Sequence, residues 1–159
     1  MARRCQPCTA CCDGWVRIRV NGHEASPGHP CPHSTGRGCD DYENRPVDPC
    51  VNFRCGWIRE ESPLPDWMKP NEAKVIVIFN KLQWQGLAVD LAVPVGRRVP
   101  PRALNWLKAF AERQGRPLVY SEQVKGPEGF TGEQTVFGFG PPQFQDWVVQ
   151  SQKAGRRLW

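Results

Sequence analysis

The chain has 159 residues, with 23 % charged and 10 % aromatic residues and a formal charge of +5. That length allows one ordinary domain, or a small module beside a small domain, and the composition excludes a disordered chain. No stretch is a basic run, since Arg97-Arg98 and Arg156-Arg157 are isolated pairs, so the charge does not call for a nucleic-acid partner. The longest aliphatic run, residues 75–79, is too short to span a bilayer.

Met1-Ala2-Arg3-Arg4 runs straight into Cys5 without an apolar stretch. A secretory signal is therefore not expected, and the cytoplasm is the expected compartment. Thiols stay reduced there. All eight cysteines (Cys5, Cys8, Cys11, Cys12, Cys31, Cys39, Cys50 and Cys55) fall within the first 55 residues. A disulfide-stapled protein spreads its cysteines through the fold. This confinement reads instead as metal binding. Metal-bound cysteines are thiolates, so eight of them holding two dications would take four off the formal charge.

Between the cysteines, glycine, proline and polar residues dominate, and residues 1–60 hold too few apolar side chains for a core of their own. Residues 15–20 alternate apolar and polar, which predicts a strand, and Asn21-Gly22 predicts a hairpin turn after it. Three prolines in "SPLPDWMKP" predict a stiff linker over 61–72. From residue 73 to 159 the pattern predicts a small α+β domain. Strands are expected at 73–79 and 86–95 across a turn at 80–85, then at 117–121 and 135–139. Helices are expected at 101–114 and 142–153. The first has proline in its opening turn and Gly115 at its stop. The fold class expected is α+β: a Cys-rich, metal-stabilised N-terminal module packed on a mainly antiparallel sheet with two helices. The Trp and Phe residues of this part read as core. The loop "GPEGFTG" at 126–132 lacks the lysine and hydroxyl of a phosphate-binding loop.

The cysteine spacing is C-x2-C-x2-C-C, then C-x7-C and C-x4-C. A C-x-x-C turn brings two sulfurs to one side of a tight loop. That suits tetrahedral zinc and equally an iron–sulfur cluster, although the ferredoxin pattern places its fourth cysteine later, before a proline. Adjacent Cys11 and Cys12 point different ways, so they serve two metals, or one ligates while the other packs. His23, His29 and His33 all lie between the cysteine groups as candidate auxiliary ligands. His33 is the best placed, two residues after Cys31.

"CQPCTACC", followed by "CPHSTGRGCDDYENRPVDPCVNFRC", resembles the zinc- or iron-chelating CxxCxxCC family of cysteine-cluster proteins. The resemblance rests on the eight cysteines with Tyr42, Arg45 and Pro46 in register, over about residues 5–57. Three residues separate Pro46 from Cys50 where many members have two, and Val51 stands where an arginine often follows. The resemblance implies chelation of zinc or iron by the eight cysteines, and it supplies no reaction. It also draws attention to Tyr42 and Arg45 as groups behind the ligands, with Arg45 donating to sulfur. The alternative is that Tyr42 packs the module and Arg45 pairs with a nearby carboxylate.

Two functions follow. One is a metal-binding protein whose site is structural, or serves metal handling or an accessory role. The other is an iron–sulfur redox protein or oxidoreductase component. The expected partners are the metal ion and, through the second unit, a protein, with no membrane. No acid–base or nucleophilic constellation marks an enzyme.

Overall fold

The structure is a computed structural model that describes residues 3–158; the Met1-Ala2 start and Trp159 lie outside the described residues. The chain is α+β. A two-stranded hairpin, β1 (Ile18–Val20) and β2 (His23–Ala25), turns at Asn21-Gly22 as the sequence predicts. A four-stranded sheet follows in the order β3 (Val75–Trp84), β4 (Leu87–Pro94), β5 (Leu118–Gly126) and β6 (Gly129–Phe139). β3/β4 and β5/β6 are antiparallel hairpins, whereas β4 and β5 run parallel. A parallel pair needs a crossover, and helix α2 (Pro101–Gln114) supplies it. A one-turn helix α1 (Pro70–Ala73) precedes β3, and α3 (Pro142–Lys153) closes the fold.

Alternation along the strands divides the core between the two faces of the sheet. Val75, Val77, Ala92 and Leu118 face α2, packing on Ala103, Leu107 and Ala111. Ile76, Val89, Leu91, Val93 and Val119 face the other way, onto Phe144 and Val148 of α3. The N-terminal residues Cys8, Ala10 and Val16 join this second cluster. Trp57, Leu64 and Met68 join the first. The chain thus passes around the β3 edge between the cysteine-bearing segment and the proline-rich one.

Helix boundaries fall where the sequence predicts them. α2 begins at Pro101 and ends on left-handed Gly115 (φ 62°), with Arg116 N–H donating to the Ala111 carbonyl at 3.1 Å. The expected turn at 80–85 is corrected. β3 runs on to Trp84, and the chain reverses at Gln85-Gly86. The strand instead bulges between Ile78 and Leu82, with Asn80 at φ 50°. The buried Asp90 carboxylate holds this bulge: Oδ1 accepts Asn80 N–H at 2.8 Å, and the Arg116 guanidinium donates to both oxygens. A charge that is 3 % exposed is tolerable because it is paired on every side.

β5 and β6 also outrun their expected ends. "GPEGFTG" forms their hairpin turn and the start of β6, and its tip reaches the N-terminal segment. Phe130 meets Trp15 edge to face at 5.0 Å, and Arg17 Nη2 donates to the Gly132 carbonyl at 2.7 Å. Among the described residues no helix is long and apolar enough to cross a membrane.

The β3 edge is closed at Gly56, directly after Cys55. Gly56 N–H donates to the Val77 carbonyl at 2.5 Å. A Cβ at this position would lie 2.7 Å from the Phe79 ring and 2.9 Å from the Val77 oxygen. Gly56→Ala is therefore expected to cost about 1–3 kcal/mol of stability through overpacking. A lowered urea midpoint with an unchanged slope would register it; an unchanged midpoint would show that the edge can give way.

Candidate metal centre

The cysteine loop is folded by its own backbone. Cys8 N–H donates to the Cys5 carbonyl at 2.9 Å, and Gly14 N–H to that of Cys11 at 3.1 Å. Gly14 sits at φ 90° against the Ser26 backbone, where a side chain would collide. The β1–β2 hairpin then carries the chain back, and Cys31 N–H donates to the Cys12 carbonyl at 2.7 Å. A π-type turn, Val47–Val51, presents Cys50. The Gly56 contact with β3 fixes Cys55.

These four segments bring all eight cysteines around one cavity of about 610 Å3, and all eight are unpaired. Cys8 and Cys31 are buried, and Cys5 is exposed at the rim. Among the described residues no three His, Cys, Asp or Glu side chains converge closely enough to hold one ion.

The other residues singled out in the sequence divide. His33 lines the cavity, with Nδ1 2.7 Å from Asp40 Oδ1. His23 and His29 do not line it, and His23 Nε2 lies 3.1 Å from the Pro30 carbonyl. Tyr42 and Arg45 both line it. Arg45 Nη1 donates to the Tyr42 carbonyl at 2.8 Å, and the guanidinium stacks 3.7 Å over the Tyr42 ring. Its charge opposes, without overcoming, the rise that burial and neighbouring thiols impose on Cys5 and Cys50.

Three residues that the sequence did not single out hold the segments together. Arg3 donates to the carbonyls of Trp57 and Leu64, both at 2.7 Å, and stacks on the Trp57 ring at 4.6 Å. Asp13 accepts from Thr9 Oγ1 at 2.8 Å and from Ser34 Oγ at 2.7 Å. Lys69 Nζ reaches the Gln6 carbonyl at 3.1 Å. Nearness to cysteine, within two residues, is the only sequence signal Arg3 and Asp13 carry, because the partners of Arg3 lie 54 and 61 residues away.

Electrostatics show what the cavity lacks. Burial, then Cys55, Cys5, Cys8 and Cys12, push the Cys11 thiol well up. Burial, then Cys5, Cys31, Cys39 and Cys50, push Cys12 up to about 12. Cys5, Cys50 and Cys55 are raised as well, burial again the leading cause. Crowded thiols in a low-dielectric basin keep their protons unless a cation enters. At Cys55, burial outweighs the opposing influence of the nearby Ile58 and Trp57 backbone. An all-sulfur donor set fits zinc or an iron–sulfur cluster.

No family model, no curated protein and no solved structure matches the chain.

The raised thiols fix the pH behaviour of the metal-free protein. The folded chain keeps the Cys12 proton up to about pH 12, whereas the ordinary value is 9.0. This contribution to stability is whole below about pH 9 and is lost as pH rises toward about 12. Urea unfolding of the reduced, chelator-treated chain should show the decline over that window, and Cys12→Ser should flatten it. A decline unaltered by Cys12→Ser would contradict the assignment.

Proposed function

We propose that this chain is a metal-binding protein that holds zinc or iron through its eight cysteines, in a structural, metal-handling or accessory role. One observation carries the reading: eight unpaired thiols, drawn from four segments, line a single cavity. The same cysteines are those whose spacing resembles the CxxCxxCC family. An abundance of unpaired thiols suits a reducing compartment such as the cytoplasm. Bound metal would cross-link segments that contribute little core, as in other small metal-dependent folds. The positive surplus is scattered without a basic run, so nucleic acid is a poor partner.

The second reading is an iron–sulfur redox protein or oxidoreductase component. The C-x2-C-x2-C opening at Cys5, Cys8 and Cys11 favours it, because the bacterial ferredoxin pattern begins the same way.

Anaerobic production in medium supplied with both metals, with metal content and visible spectrum recorded on one sample, tests the proposal. Colourless protein carrying zinc supports the first reading. Brown protein with iron and acid-labile sulfide supports the second. Folded, reduced protein that stays metal-free after reconstitution with zinc, and with iron plus sulfide, would end both.

A further inference from the structure

Cys11 and Cys12 share a peptide bond, yet they belong to different clusters. Cys11 packs with Cys8 and Cys55 on the sheet-facing core of Ile76, Leu91 and Phe144. Cys12 packs with Cys31 and Cys50 around Val20 and Ala25 of the β1–β2 hairpin. The two remaining cysteines follow their neighbours. Cys5 stays with Cys8, since its carbonyl takes the Cys8 N–H and its Sγ lies 3.8 Å from the Cys8 carbonyl oxygen. Cys39 stays with Cys31, because Ser34 bridges to Cys39 and donates its N–H to the Cys31 carbonyl at 2.9 Å.

We propose that the eight thiols form two separate four-thiolate metal sites, Cys5/Cys8/Cys11/Cys55 and Cys12/Cys31/Cys39/Cys50, divided by the Cys11–Cys12 peptide. This rests on the metal-binding reading above and extends it to the number of sites and the ligands of each. A dication entering either site forms four metal–sulfur bonds and releases four thiol protons to solvent. Each site is left at a net charge of −2, and Arg45, which lines the same cavity, adds positive charge beside them.

Each site has its own clasp. The first joins residues 5–11 to Cys55, and Arg3 closes that gap by reaching from two residues before Cys5 to Trp57, two residues after Cys55. The two charge-assisted bonds to carbonyls do this work. The pair with Asp66 adds little, because that side chain is 94 % exposed. The second site joins Cys12 to the 31–39 loop. There Asp13 accepts from Ser34, and Cys31 donates to Cys12. Arg3 and Asp13 are therefore positioning residues for different sites.

The test uses the full, reduced chain. Anaerobic titration with Co2+ should develop thiolate-to-cobalt absorption that saturates at two ions per chain. Cys5→Ser/Cys55→Ser, confined to the first site, should keep one ion, whereas Cys5→Ser/Cys31→Ser, drawn from both, should keep none. Folding of variants is bypassed by loading the unaltered chain with one equivalent of Zn2+, alkylating with iodoacetamide and mapping the peptides. Protection should rise and fall together within each set of four. Arg3→Ala should weaken the first site about tenfold and leave protection of the second unchanged, and Asp13→Ala should do the reverse. A general loss of structure would weaken both alike. Saturation at one ion, or protection of Cys11 and Cys12 as one set, would overturn the two-site division while leaving metal binding intact. Absence of any thiolate–metal absorption would overturn the metal-binding reading itself.

Discussion

Residues 3–60 cannot fold on their own apolar surface, and the rest of the architecture answers that constraint. Their buried residues are mostly small: Cys8, Ala10, Val16, Val20, Ala25 and Cys31, with Trp57 the one large side chain. Segments this poor in core need a staple or a neighbour. The sheet is the neighbour. Its α3-facing side accepts Cys8, Ala10 and Val16 beside Phe144, and its α2-facing side accepts Trp57, Leu64 and Met68. The β3 edge between them takes the Gly56 N–H. Loops without a core are thereby held on a rigid platform, with their thiols gathered on one side.

The gathering has an electrostatic consequence. Neighbouring thiols raise the pKa of Cys11 and Cys12 on top of burial. Without a cation the raised thiols Cys11 and Cys12 keep their protons, and the segments are held by clasps such as Arg3–Trp57 and Asp13–Ser34. With one, the same crowding becomes a reason to bind, because a dication offsets the charge that burial resists. Arg45, fixed on Tyr42 beside both groups of thiols, contributes permanent positive charge in the same place.

Much of this was legible in the sequence, and the exceptions have physical causes. Helices 101–114 and 142–153 could be read because proline starts, glycine stops and apolar spacing all act locally. The β1–β2 hairpin was readable from Asn21-Gly22. The bulge at Asn80 was not, because it depends on Asp90 across the hairpin and Arg116 from beyond α2. The tip of β5–β6 reads as a loop by composition and becomes a hairpin by docking on Trp15 and Arg17. Within the site, the eight cysteines and the cavity-lining His33 stood out by residue type and spacing, and Tyr42 and Arg45 through the resemblance to the cysteine-cluster family. Arg3 and Asp13 did not, since their roles come from partners brought near only by the fold.

The most direct test of thiolate metal binding is X-ray absorption at the metal edge of the protein purified with its metal. An all-sulfur shell at about 2.3 Å is the expected result, with a short metal–metal distance added if iron–sulfur clusters are present. A shell of nitrogen and oxygen without sulfur would contradict the account, and would move the ligands from the cysteines to the histidines and carboxylates.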